Sequence, residues 1–330
     1  MSKAAELAAL IGSQTALSNR NLIINGDFQV WQRSTSSSST GYSTADRWLL
    51  NLSGGSATAS QGTFTDGQTA VPGNPRFYMA LNVTTGNDNC GWQYRREGTW
   101  QFANDVYTLS FWAKSATPRV MTVASDSFDA SADVNSTHTV SPSTFTPTSS
   151  WQKFTFKITH SDMSGMGSYD NADWTRISIN QGSDTSTAAW KLDLALVQLE
   201  KGEQATPFEH RSYGDELARC HRYYAQLAGG YLTETNRTIC AGSTYSSDQV
   251  RGSLTFPQTM RAQPSLSSSS GANHFNLEGV KVFNGPFLMT YQTTRAALLY
   301  FVTSGLTAAQ AGHLRTDSGS GISLALDAEL

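Results

Sequence analysis

Val106 to Lys114 reads VYTLSFWAK, and Trp151 to Thr159 reads WQKFTFKIT. In the first stretch Val106, Thr108, Ser110 and Trp112 fall on one side, and Tyr107, Leu109, Phe111 and Ala113 on the other. In the second, Phe154, Phe156 and Ile158 oppose Lys153, Thr155 and Lys157. Successive side chains of an extended chain point to opposite faces, so a period of two predicts antiparallel strands with one face buried. The same strand chemistry recurs at 76–83 (RFYMALNV), 91–96, 119–124, 175–181 and 190–199 (WKLDLALVQL). About eight such strands, separated by loops rich in Gly, Ser, Asn and Asp, predict a β-sandwich or jelly roll.

Composition agrees. The chain has 330 residues, of which 15% are charged, against about a quarter in an ordinary globular protein. Its 42 Ser and 37 Thr supply the polar surface instead. Thr, Tyr, Phe and Trp favour strands, and Ser, Gly and Asn favour turns, so the composition is that of an all-β, water-facing protein. A formal charge of −3 excludes a generic nucleic-acid binder, which needs an excess of Lys and Arg to displace counterions. Cys90, Cys220 and Cys240 contain no CxxC pair, and their odd number argues against a disulfide framework. No apolar run approaches the 18 or so residues of a membrane-spanning helix. The N-terminus, MSKAAELAALIG, has too short an apolar stretch for a signal peptide, and Glu6 interrupts it. The chain is therefore expected to stay in the cytosol or to leave the cell by a route other than secretion.

Two segments break the strand rhythm. Residues 2–17 place Ala4, Leu7 or Ala8, and Ile11 on one helical stripe, with Gly12 as a stop signal. A helix this short is marginal alone and needs copies of itself or a docking surface. Residues 212–227 (SYGDELARCHRYYAQL) predict a second helix, capped by Ser212, with Tyr213, Leu217, Cys220 and Tyr224 at helical spacing. Within 21–33 (NLIINGDFQVWQR), Asn25-Gly26 predicts a turn between two strands. In the C-terminal third, Asn284-Gly285 predicts a hairpin, and the near-continuous apolar run 296–303 predicts a strand buried on both faces. The expected organisation is an N-terminal helix over 1–19, a jelly-roll β-sandwich over 20–210, a linker helix over 211–229 and a second β-sandwich over 230–330.

On NLIINGDFQVWQR, TADRW (44–48), YTLSFWAKS (107–115), WQKFTFKIT, LVQLEKGEQATPFEHRS (196–212), ELARCHRYY (216–224) and the closing LDAEL, the chain resembles bacteriophage virion fibre and spike-type proteins. These carry a jelly roll like that of family-4/9 carbohydrate-binding modules. The resemblance implies that the first segment lies beside the LVQLEKG strand and that TPFE closes the domain. It implies a virion structural protein (a tail fibre, head fibre or spike) that projects from the particle and contacts host-surface glycans. It further implies a homotrimer on the virion surface, held to other virion proteins through Ala4, Leu7 and Ile11 of the first helix. A stand-alone carbohydrate-binding module, or a polysaccharide depolymerase, is the alternative.

Modules of this fold stack sugars on flat aromatic side chains. The candidates are Trp92, Tyr94, Trp48 and Trp100, with Gln93, Arg95 and Arg96 as hydrogen-bonding partners. Trp92, Tyr94 and Arg96 share a strand face, but so does Cys90, and aromatics equally fill cores. Similar modules hold a structural calcium, for which Asp27 and Asp193 are the matching residues, although Gln29 stands where many have Glu. The six His are scattered, and no HExxH, GxSxG or Walker loop occurs, so an enzyme is not expected.

Overall fold

The computed structural model describes residues 19–87, 89–99, 102–163, 166, 172–182, 186–229, 236–319 and 321–330. The N-terminal helix expected around Ala4, Leu7 and Ile11 lies outside the described residues, as does Trp100. Among the described residues the chain is all-β with one α-helix, and it forms two compact units. The first holds the chain up to Val30, then Thr35–Glu216 and Leu330; the second holds Trp31–Ser34 and Leu217–Glu329.

The first unit contains β1 (Ser36–Ser37), β2 (Trp48–Asn51), β3 (Ser56–Thr63), β4 (Phe77–Thr85), β5 (Gly91–Glu97), β6 (Val106–Lys114), β7 (Met121–Asp129), β8 (Val134–Thr137), β9 (Thr139–Ser141), β10 (Thr144–Phe145), β11 (Gln152–Thr159), β12 (Trp174–Asn180) and β13 (Trp190–Lys201). One sheet runs β1-β3-β4-β13-β6-β11-β9; the other runs β10-β7-β12-β5-β2, with β8 beside β7. The register of β6 and β11 opposes Phe154 to Phe111 and Lys153 to Trp112, so the apolar faces of the two strands coincide. Tyr107, Leu109, Phe111 and Ala113 are buried, as are Met79, Leu81 and Val83 on β4 and Trp190, Leu192 and Leu194 on β13. Phe145 of the second sheet lies 5.3 Å from Phe111 and 4.8 Å from Phe154, ring to ring. The two sheets therefore pack face to face as the sandwich that the alternation predicts. Each fully buried large apolar side chain contributes about 1.5–3 kcal/mol, more than strand propensity does.

Residues 21–33 depart from the expected strand-turn-strand. Asn25 and Phe28 sit in the left-handed region, each at φ 58°. The Asn25 side chain donates to Val30 O at 2.8 Å and accepts from Val30 N at 2.9 Å, doing locally what a strand ladder would do. The segment still lies beside the last strand, through Leu22 N to Leu199 O and Val197 N to Gly26 O, both 2.8 Å. The Glu209 carboxylate, from the TPFE segment, accepts from the backbone N–H of Asn21 at 2.7 Å.

The helix, α1, spans Tyr213–His221. Ser212 Oγ caps it, accepting from Asp215 N at 3.1 Å and donating to the Asp215 carboxylate at 2.7 Å. The expected continuation to Leu227 is instead β14 (Tyr224–Gly229). Two consecutive tyrosines favour extended backbone, and a waiting partner strand outweighs helical spacing.

The second unit continues with β15 (Thr238–Thr244), β16 (Gln249–Thr255), β17 (Ser265–Ser268), β18 (Phe275–Leu277), β19 (Lys281–Phe283), β20 (Leu288–Thr290), β21 (Ala296–Val302), β22 (Ala311–Thr316) and β23 (Ser323–Asp327). A three-stranded sheet, β14-β23-β17, accompanies a seven-stranded one, β19-β18-β22-β15-β16-β21-β20. The Asn284-Gly285 hairpin does not form: β19 and β20 are opposite edges of the larger sheet. Residues 284–287 can span at most roughly 18 Å, whereas seven flat strands would spread over about 29 Å. The sheet therefore curls, and Phe283 on β19 stacks on Phe301 of β21 at 4.5 Å. Strand β21 is buried on one face, through Ala297, Leu299 and Phe301, and leaves Val302 exposed. The tetrapeptide Trp31–Ser34 belongs to this unit. Gln32 donates to Tyr224 O at 2.9 Å and accepts from Gln226 N at 3.0 Å, and Arg33 lies over the Tyr224 ring at 3.5 Å.

Candidate functional site

The aromatics expected to form a sugar platform are core residues. Trp92, Trp48 and Tyr94 are 0%, 1% and 2% exposed. β2 and β5 pair Trp48 with Tyr94, their rings 5.3 Å apart, and Phe28 lies 5.3 Å from Trp48 on its other side. The Tyr94 hydroxyl accepts from Ile24 N at 2.8 Å, and the Trp48 indole N–H donates to Asn25 O at 3.1 Å. These rings hold the first segment against the sheet and present nothing to solvent. Arg96 shares their face and covers Phe102 at 4.5 Å. On the opposite face, Arg95 and Arg176 both lie over Trp174, at 4.8 and 5.1 Å, and Arg176 grips Asp126 through two bonds of 2.9 Å. Two guanidiniums thus occupy the Trp174 ring that a sugar would need.

Asp27 and Asp193 each have partners of their own. Asp27 accepts from Gln29, and its other charged neighbours are Glu216 and His210. Burial raises the Asp27 carboxyl above its ordinary range, with Glu216 adding to the effect and Gln29 opposing it. Asp193 pairs with Lys114 at 3.5 Å. Among the described residues no group of three or more His, Cys, Asp and Glu could hold a metal ion.

A different surface gathers aromatics at half exposure: the outward face of the first unit's β1-β3-β4-β13-β6-β11-β9 sheet. Register builds it. Trp112 on β6 is flanked by Ala195 of β13 and Lys153 of β11, and in the next row Asp193 is flanked by Ala80 of β4 and Lys114 of β6. Tyr78 lies across Gly62, where any side chain would fall inside its ring, so glycine is what lets the ring lie flat on the sheet. Phe64, Tyr78 and Trp151 touch one another with centroids 5.0, 5.2 and 5.4 Å apart. The Lys114 ammonium sits over two of these rings, 5.4 Å from Tyr78 and 5.0 Å from Trp151. Burial, offset in part by Lys114, holds the Asp193 carboxyl above the usual carboxylate range; burial and Asp193 together raise the Tyr78 phenol. Val71, Ala195 and Leu196 form the buried floor on which Phe64, Tyr78, Trp112, Trp151 and Phe208 pack.

Beside this cluster opens a pocket of about 220 Å³, walled by Trp112, Phe208, Lys153, Ser110 and His210. Gly73, at φ +80°, leaves room for the His210 imidazole laid across it, and Phe208 meets that imidazole edge-on at 5.0 Å. Such a surface offers π faces to C–H groups and fixed charges to polar ones. Its carboxylate, Asp193, is paired with the Lys114 ammonium.

None of these aromatics was singled out by the sequence reading, yet a signal existed. Trp112 belongs to the polar side of VYTLSFWAK, with Thr108 and Ser110, and Trp151 to the side of Lys153, Thr155 and Lys157. A tryptophan on the polar side of an alternating strand is an aromatic turned toward water.

No family model matches the chain, and no curated protein matches it. Solved structures do. A CBM4 structure shares 21% identity, covering 54% of this chain and 98% of that one, with a TM-score of 0.34. The N-terminal cellulose-binding domain of Cellulomonas fimi β-1,4-glucanase C shares 16% identity over 53% of this chain and 100% of its own, with a TM-score of 0.33. The CBM22-1 xylan-binding domain of Paenibacillus barcinonensis Xyn10C shares 14% identity over 52% and 94%, with a TM-score of 0.32.

Proposed function

We propose that this chain is a glycan-binding structural protein of a bacteriophage particle, with the outward face of the first unit's β1-β3-β4-β13-β6-β11-β9 sheet as its contact surface. The observation that carries the glycan reading is the Phe64, Tyr78 and Trp151 cluster, three mutually supported rings at half exposure with an ammonium fixed over them. Rings already locked by one another lose little entropy when a sugar stacks on them, which is what a binding platform needs. The particle reading is supported by the resemblance of the quoted segments to virion fibre and spike proteins and by a low-charge, Ser/Thr-rich surface suited to exposure outside a cell. In this reading the protein stands on the virion surface as a homotrimer, attached to other virion proteins through residues 1–19.

Affinity electrophoresis of the full chain through gels containing soluble polysaccharides tests the binding face. Trp151→Ala and Tyr78→Ala are each expected to weaken retardation by roughly 30-fold, the loss of a buried aromatic anchor worth about 2 kcal/mol. Retardation unchanged in both variants would remove the face from consideration.

A further inference from the structure

Resting on that reading, we infer that the polysaccharide is acidic: a uronate ring enters the pocket beside Trp112, and Lys153 receives its carboxylate.

Two lysines on this face are already matched. Lys114 is held by Asp193 at 3.5 Å and Lys157 by Glu203 at 2.5 Å. Lys153 is exposed and makes no ion pair or hydrogen bond among the described residues. It stands directly across the ladder from Trp112, where paired side chains leave their strands roughly 5 Å apart, and the two residues line the same pocket. The pocket lining includes no Asp or Glu, and its other ionisable group is the exposed imidazole of His210. An unmatched cation at an aromatic-walled opening, with no carboxylate inside, is complementary to an anion attached to an apolar-faced ring.

A hexuronate has that form. One face of its pyranose carries axial C–H bonds that stack on an indole, and its carboxylate projects from the ring edge toward the Lys153 side. Hydrogen bonds from an ammonium to a carboxylate are roughly twice as strong as neutral ones, so the acid adds to what the ring contributes. The volume agrees. At about 220 Å³ the cavity is smaller than the roughly 300–1,000 Å³ of sites that enclose drug-sized ligands, and it suits one sugar unit of a longer chain lying on the aromatic face.

The test measures retardation of the full chain by polygalacturonate, alginate and hyaluronan, beside neutral galactan, β-glucan and xylan and beside dextran sulfate. At least one uronate polymer is expected to bind at least tenfold more tightly than every neutral one. Lys153→Ala should weaken that binding about tenfold, Lys153→Arg should retain it, and Lys157→Ala should leave it unchanged. A neutral polymer bound as tightly as any uronate, with Lys153→Ala silent, overturns the inference and leaves the aromatic platform standing. Dextran sulfate bound equally well, and weakened equally by Lys157→Ala, marks unspecific charge attraction and also overturns it. Failure to bind any polymer, or uronate binding indifferent to Trp151→Ala, defeats the platform itself.

Discussion

Trp92 is sealed between the sheets, in register with Leu50 on one side and Ile179 on the other, so nothing can refill the space of a lost indole. Trp92→Ala is expected to lower stability by about 3–5 kcal/mol, read from the urea midpoint at constant slope. Trp151→Ala, half exposed at the start of β11, should cost about 1 kcal/mol in the same titration while carrying the larger loss in glycan binding. These two residues also mark how far the sequence could be read. Alternation put Trp92, Tyr94 and Arg96 on one face and Gln93 and Arg95 on the other, and the structure keeps that division. Period two separates faces without saying which one is inside, and within β5 both faces carry large side chains. In β6 and β11 the opposite face is polar, so the sign was legible there, and Trp112 and Trp151 stood on the water side of it.

At the scale of elements, His138 joins β8 to β9 and His160 ends β11, and their rings stack 4.0 Å apart at 27°. His138 is bonded to Ser127 Oγ at 2.9 Å and faces Ser161 Oγ at 3.3 Å; Phe102 and Tyr107 enclose His160. Burial pushes the His138 imidazole down to about 4, with Asp126 opposing; burial and then His138 push His160 down to about 3, with Asp105 opposing. Both are therefore neutral in the fold, whereas an unfolded chain protonates them from about pH 6.5 downward. Their contribution is full above pH 6.5, falls on acidification and levels off below about pH 3. Between pH 7 and pH 4.5 the unfolding free energy should drop by a few kcal/mol, and His160→Phe, which keeps the stack and cannot titrate, should flatten that profile. Elements were less legible than residues wherever a distant partner decided them. Tyr224 fits the helical stripe of 212–227 locally and instead opens strand β14, because β23 pairs with it. Asn284-Gly285 has hairpin chemistry, but the phenylalanines flanking it, Phe283 and Phe287, are buried in the core of the curled sheet, where their rings lie 6.3 Å apart.

For the whole molecule, the described residues form two compact units, and remote segments join the second. The alternation placed the second domain at 230–330, whereas the second unit also takes β14 and the remote tetrapeptide Trp31–Ser34. A fragment beginning at residue 230 lacks one strand of the three-stranded sheet and is expected to show no fixed near-ultraviolet circular dichroism. A fragment beginning at 211 restores β14 and should regain part of that signal. The proposed homotrimer predicts a light-scattering mass of three chains for the intact protein, and loss of that state on deleting residues 1–18; a monomer mass would exclude it.

The tetrapeptide also sets a timetable. Arg33 makes its contact with Asp327 at 3.3 Å, across most of the chain. At roughly 5–20 residues per second, a ribosome takes on the order of fifteen seconds to a minute to travel between them. Over that interval the nascent sandwich can gather its own strands while Trp31 to Ser34 remain unclaimed. Their docking is thus among the last events of biogenesis, and slowing or stalling translation late in the message should lengthen the period in which a half-made chain is open to capture by chaperones or by its neighbours.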